Sequence, residues 1–150
     1  MDFDAIKRIR DAARSAIESA EMTAILAAVA TEHGVTLPAF KDVLRHTRSK
    51  PNAFPVVVVG QPKGDTSQPG TIMSTDAQLP VMPIVNGSNP DLMDKQMDGY
   101  MTALVRLFSK RRVGCVEFQV TGFDADEPAP FDGELLQTGG VLLRAVTQDR

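Results

Sequence analysis

The chain has 150 residues, of which 43% are hydrophobic and 23% charged, with a formal net charge of -3. That length buries roughly 70% of the unfolded surface without any staple, and it fits one domain. The acid excess argues against a basic nucleic-acid module, and a single cysteine excludes a disulfide framework.

The first residues, Met1 to Arg10, mix acids and bases and hold no apolar signal core. No apolar run approaches the ~20 residues that cross a bilayer. The expectation is a soluble protein made in the cytoplasm, with no membrane partner.

From Asp2 to His33 the chain is Ala-rich and free of Pro and Gly. Phe3, Ile6, Ala13, Ile17, Ala20, Ala24 and Ala27 recur at helical spacing, with charged residues between them. The spacing predicts a long amphipathic N-terminal helix that can break near Ser19. Gly34 suits its left-handed end, and Thr36-Leu37-Pro38 reads as a capped restart with a short helix to about Arg45.

Phe54-Pro-Val-Val-Val-Val-Gly60 predicts a strand buried on both faces. Gln61 to Thr75, with Pro62, Gly64, Pro69 and Gly70, reads as a long polar loop. Leu79-Pro-Val-Met-Pro-Ile-Val85 resumes a strand, and Pro80 and Pro83 mark it as an edge or bulged one. Asn86-Gly-Ser88 matches a glycosylation sequon and reads as a turn.

Asn89-Pro90-Asp91 opens a helix as cap, first-turn proline and N-terminal acid. Met93, Met97, Tyr100, Met101, Leu104, Leu107 and Phe108 form one continuous stripe, which reads as a packed face, with methionine filling irregular gaps. Gly99 weakens that helix by about 1 kcal/mol relative to Ala, so a close backbone approach is expected there. Lys110 to Arg112 close the helix. Cys115 to Val120 alternates as a half-buried strand. The acidic, Pro-rich Asp124 to Gly133 reads as a solvated connection, and Gly139 to Val146 as the last strand. The fold class expected is α+β in a single domain over 1–150. It has a four-stranded, mainly antiparallel sheet packed against helices, with the long helix at the N-terminus.

Reaction chemistry is sparse. Cys115 has only His33 and His46 as base partners, both in the N-terminal region, so a small buried hydrophobe is the simpler reading. The two His and one Cys lack metal-site spacing. Asp124-Ala-Asp126-Glu127 starts like a calcium loop, but Pro128 and Pro130 break it. Gly60-Gln-Pro-Lys-Gly64 lacks the ending of a phosphate loop. Arg45, His46, Arg48 and Lys50, and separately Lys110 to Arg112, are basic clusters that DNA phosphates accept. With few aromatics beside them, solvated surface explains them more simply. No enzyme activity and no cofactor are expected.

The order of elements resembles the tail terminator (tail-completion) proteins of long-tailed bacteriophages. The features that carry it are the Pro-preceded Val56 to Val59 strand, the polar loop, the Leu79 to Val85 strand, Tyr100-x-x-Ala103-Leu104-x-x-Leu107, and two terminal strands. The resemblance covers nearly the whole chain as a layout, without an invariant chemical motif. The stretch from Gly34 to Pro51 exceeds what a minimal terminator needs. It implies a structural virion protein at the head-tail junction, forming a homo-oligomeric ring, a hexamer in that family. Such a ring ends tail-tube polymerisation and meets the tail tube protein and the head-tail connector protein, with DNA passing through its lumen. It implies no catalysis. Lys63, Asp65, Met73, Leu79 and Met82 are then the candidate ring or tube contacts, alongside the Ala-rich helix. Two readings stand beside it: another neck or head-completion protein, and a small DNA-binding accessory protein. A small enzyme using Cys115 or an unrecognised acid pair is a further rival.

Overall fold

In the computed structural model the described residues are 4–45, 51, 53–68, 70 and 72–149. Among them the chain forms three helices and eight strands: α1 (Ala5–Ile17), α2 (Ala20–His33), β1 (Asp42–Leu44), β2 (Val56–Val59), β3 (Lys63–Ser67), β4 (Met73–Gly87), α3 (Pro90–Phe108), β5 (Arg111–Val113), β6 (Val116–Ala125), β7 (Ala129–Phe131) and β8 (Glu134–Asp149). All strands join one sheet in the order β1-β2-β4-β8-β6-β5, with β3 also on β4 and β7 also on β8. Eight strands replace the expected four, and every pairing is antiparallel except β1 with β2.

The centre is the pair β4–β8, of 15 and 16 residues. β2 and β3 follow one another along the free side of β4, with the register displaced by one residue between Val59↔Val81 and Lys63↔Gln78. β6 and β7 do the same along β8, with a further irregularity between Val120 and Gly122. Such bulges bend a strand and strengthen its twist.

The strand Leu79 to Val85, expected at an edge or bulged, is therefore interior, and its register with β8 is the same on both sides of Met82 and Pro83. Its prolines are accommodated by where their missing donors point. The Pro80 carbonyl accepts from Gly60 N–H at 2.9 Å, beyond the last β2–β4 pair. By alternation Pro83 turns toward β8, where the ladder skips Met82 and Pro83. Gly60 is required at that end, since a Cβ there would lie 2.7 Å from Pro80 Cγ.

The polar loop expected from Gln61 to Thr75 is largely a hairpin, β3 and the start of β4. Gly64 permits it: a Cβ would lie 2.0 Å from the Asp76 carbonyl oxygen. The long N-terminal helix is two helices. Ser19 ends α1 by donating to the Ala16 carbonyl at 2.6 Å and caps α2 by accepting from Met22 N–H at 3.3 Å. Gly34 closes α2 at φ 63°, as expected. The short helix after Thr36 is absent. Leu37 and the Pro38 carbonyl are drawn onto α3, and the chain continues extended into β1. A few residues without a packed face do not hold a helix.

One sheet face carries the core. Val57, Val59, Leu79, Val81, Phe118, Val141 and Leu143 pack there with the buried sides of all three helices. α3 lies across this face, and α2 packs on α3. The methionine stripe is core: Met93, Met97 and Met101 are 1%, 1% and 8% exposed. Each sits over a sheet glycine. A Cβ on Gly87 would come within 3.1 Å of Met93, and one on Gly139 within 2.7 and 2.8 Å of the Met97 and Met101 sulfurs. Flexible thioethers fill the dips those glycines leave. Full burial of one such side chain is worth about 1.5–3 kcal/mol. At Gly99 the expected close backbone approach is instead a side-chain one, the Leu37 methyls filling the space a Cβ would take. Phe108 and Phe118 meet edge to face at 5.2 Å. Among the described residues the opposite sheet face carries a small buried cluster, Val56, Val58 and Ile84, with Leu44, Phe54 and Met82 packed on it.

Candidate functional site

The expected contact residues fall on two faces. Lys63 and Asp65 on β3 are exposed, and their partners Gln78 and Asp76 share a face with Met82, away from the helices. Met82 and Met73 are half-buried. Leu79 is fully buried in the main core, so its side chain is used within the chain. Residue 71 and residue 69, part of the expected loop, lie outside the described residues.

Beside Asp65, Arg144 of β8 grips Asp76 through Nε at 3.0 Å and Nη2 at 2.6 Å. That contact holds the Asp76 carboxyl below its ordinary range. A second two-pronged pair, Arg106 to Glu32, joins α3 to α2. Both pairs are about half exposed, so they fix orientation more than they stabilise.

The basic residues expected to cap α3 act otherwise. The helix ends at Phe108, and Arg111 and Arg112 start β5. Arg111 pairs with Glu21 of α2, and Arg112 with Glu117 at 3.5 Å. Of the other cluster, Arg45 is exposed; His46, Arg48 and Lys50 lie outside the described residues.

Cys115 was expected to be a buried hydrophobe. It sits instead in the exposed turn between β5 and β6. Thr147 Oγ1 donates to its sulfur at 3.6 Å and Arg8 Nη1 at 3.8 Å. These two contacts lower the thiol from its ordinary value. His33 is not among its partners, and His46 lies outside the described residues. Among the described residues no group of three or more His, Cys, Asp or Glu is arranged to hold a metal. No described helix is long and apolar enough to cross a membrane.

Two features escaped the sequence reading. Gln137 is 3% exposed, and its Nε2 donates to Asp94 Oδ1 at 2.7 Å and to the Asp126 carbonyl at 2.9 Å. It ties the start of α3 to the β6–β7 connection. A glutamine at an inward position of the Leu135–Gln137–Gly139–Val141 alternation was the available signal. The other is Phe123, 78% exposed on β6. It borders an open groove of about 540 Å³ between β6 and α3, lined by Asp98, Met101, Thr102, Val105, Arg106, Asp124 and Ala125. This lining is mostly apolar, its rim carries Asp98 and Asp124 together with Arg106, which is paired with Glu32, and among the described residues it holds no paired nucleophile and base. The arrangement suits contact with another protein surface. A cleft of about 460 Å³ lies between the end of β4 at Gly87-Ser88, where β4 runs through the expected turn at Asn86 and Gly87, and the end of β7 with the Asp132-Gly133 turn.

No family model matches this sequence, and no curated protein is similar to it in sequence. Among solved structures, the fold is similar to that of a chain in the virion of a native gene transfer agent particle. The TM-score is 0.53 at 13% identity, over 97% of this chain and 98% of that one. The likeness is one of fold, end to end.

Proposed function

We propose that this chain is a structural virion protein, a subunit of a ring at the head-proximal end of a phage-type tail. The observation that carries the reading is the end-to-end fold likeness to a virion chain of a gene transfer agent particle. The parts of the tail-terminator layout that the structure keeps, the Val56 to Val59 strand and the helix with Tyr100, Ala103, Leu104 and Leu107, support the position. In this role the ring ends tail-tube polymerisation, meets the tube protein on one side and the head connector on the other, and leaves a lumen for DNA.

A ring of identical subunits needs a heterologous contact whose rotation closes. An exposed hairpin (β3–β4), an Ala-surfaced α2 and an apolar groove at β6 are surfaces of the right kind. Lys63, Asp65, Met73 and Met82 remain the candidate contacts toward ring neighbours or tube. The role needs no catalysis.

The test is the morphology of particles produced without this chain. The reading predicts heads separate from tails, and tubes of uncontrolled length. Complete particles with normal tails would overturn it.

A further inference from the structure

The sheet has two opposite borders, and they differ in charge. Among the described residues the β1 border carries Lys41 and Arg45 with one acid, Asp42; β6, β7 and the connection between them carry Glu117, Asp124, Asp126 and Glu127 and no Lys or Arg, while Arg112 of the flanking β5 is paired with Glu117. β1 and β6 lie toward opposite margins of one sheet. Lys41, Arg45, Asp98, Asp124, Asp126 and Glu127 are all exposed.

The margins also match in level and direction. Leu44 pairs with Val58, and Val58 with Met82. Met82 lies in the row of Gly140, which pairs with Asp124. Among the described residues β1 has no strand on its outer edge, and β5 covers β6 only from Val116 to Phe118. β6 runs antiparallel to β1, so the β1 edge of one copy can pair antiparallel with the Gln119–Ala125 edge of the next. Unpaired edges of this kind accept another chain. Phe123 pairs with Val141, and Val43 with Val57, so both lie on the helix side of the sheet.

The basic margin holds a crowded pair of cations, Arg10 and Arg45, only partly offset by Asp11. Arg10 reaches it, donating to the carbonyls of Val59 and Arg45, while its Nε is buried without a partner. Its guanidinium is disfavoured by burial and then by the nearby Arg45 charge. An arriving acidic surface relieves that.

We infer that the groove beside Phe123 is the seat of a second copy of this chain, whose basic β1 margin docks head to tail against the acidic β6 margin. The inference rests on the ring reading and names its contact. Phe123 then lies in a desolvated centre against the neighbour's rim at Val43, with Asp98, Asp124 and Asp126 opposite Lys41 and Arg45.

The test uses the full chain and two charge-reversed variants, Asp124→Lys/Asp126→Lys and Lys41→Glu/Arg45→Glu, each checked for folding by circular dichroism. Sedimentation is followed alone and with tail tubes. The wild type is expected to assemble, and less so as salt rises from about 0.05 to 0.5 M. Each variant alone is expected to remain monomeric, and their equimolar mixture to assemble, because each supplies the margin the other lost. Phe123→Asp is expected to weaken assembly by about tenfold or more at every salt concentration. Variants that assemble like the wild type, or a mixture that stays monomeric, would overturn the inference. So would a wild type still monomeric at about 1 mM with and without tubes. If the margins prove silent while particles lacking the chain still fail to join heads to tails, only this interface is wrong.

Discussion

Replacing Gly99 by alanine tests how α3 is locked to the segment before β1. In an exposed helix the change would stabilise by about 1 kcal/mol. Here the new Cβ would lie 2.8 and 2.9 Å from the two methyl carbons of Leu37 and 3.3 Å from its Cγ. Carbon contacts prefer about 3.5–4.0 Å, so the Leu37 methyls must retreat by about 1 Å. They have little room. Leu37 is 8% exposed, and the next residue, Pro38, accepts the Tyr100 hydroxyl at 2.5 Å. The Tyr100 ring in turn packs on Phe40 at 4.9 Å. Overpacking of this kind costs about 1–3 kcal/mol, so Gly99→Ala should come out destabilising, by up to about 2 kcal/mol. In a Leu37→Ala background the same substitution should stabilise by about 1 kcal/mol. Urea unfolding of both single variants and the double variant gives the coupling, expected at about 1–3 kcal/mol. Stabilisation by the full helix-propensity amount in both backgrounds, with additive effects, would refute the packing argument.

Met97→Ala should destabilise by about 2–5 kcal/mol in chemical unfolding, since Met97 is 1% exposed over Gly139; a loss far below that would mean the stripe is not core. Ser19→Ala removes the cap between α1 and α2 and should cost about 1 kcal/mol, read in thermal melts. Asp76 titrates below its ordinary value because of Arg144. Its contribution is present above the unfolded carboxylate pKa and is lost as pH falls through the lower folded value. With both partners about half exposed it should reach no more than about 0.5 kcal/mol. Arg144→Gln should therefore lower stability at neutral pH and leave it unchanged in strong acid, and an equal loss at both pH values would contradict the pairing.

What the sequence disclosed depended on whether a residue's own chemistry decided its state. Val56 to Val59 read correctly because four β-branched residues in a row leave little choice, and α3 read correctly because cap and stripe agreed. The role of Pro80 and Pro83 depends on which neighbour each missing N–H faces, and that is set by register with β2 and β8. β3, Lys63-Gly-Asp-Thr-Ser67, carries no strand signal at all; its state comes from lying on β4, with Gly64 allowing the approach. The bulge after Val120 hid Phe123. Strict alternation from Val116 puts residue 122 inward, whereas the irregularity turns 123 to the helix side. The groove therefore became visible only once the register was known.

The central claim is that this chain assembles into a closed ring on a tail tube. Its most direct test is the molar mass of the purified chain by light scattering across a concentration series, with and without tail tubes. The account predicts a species that stops growing at a ring of about six subunits, on its own or once tubes are present. A chain that stays monomeric throughout and binds no tubes would contradict it.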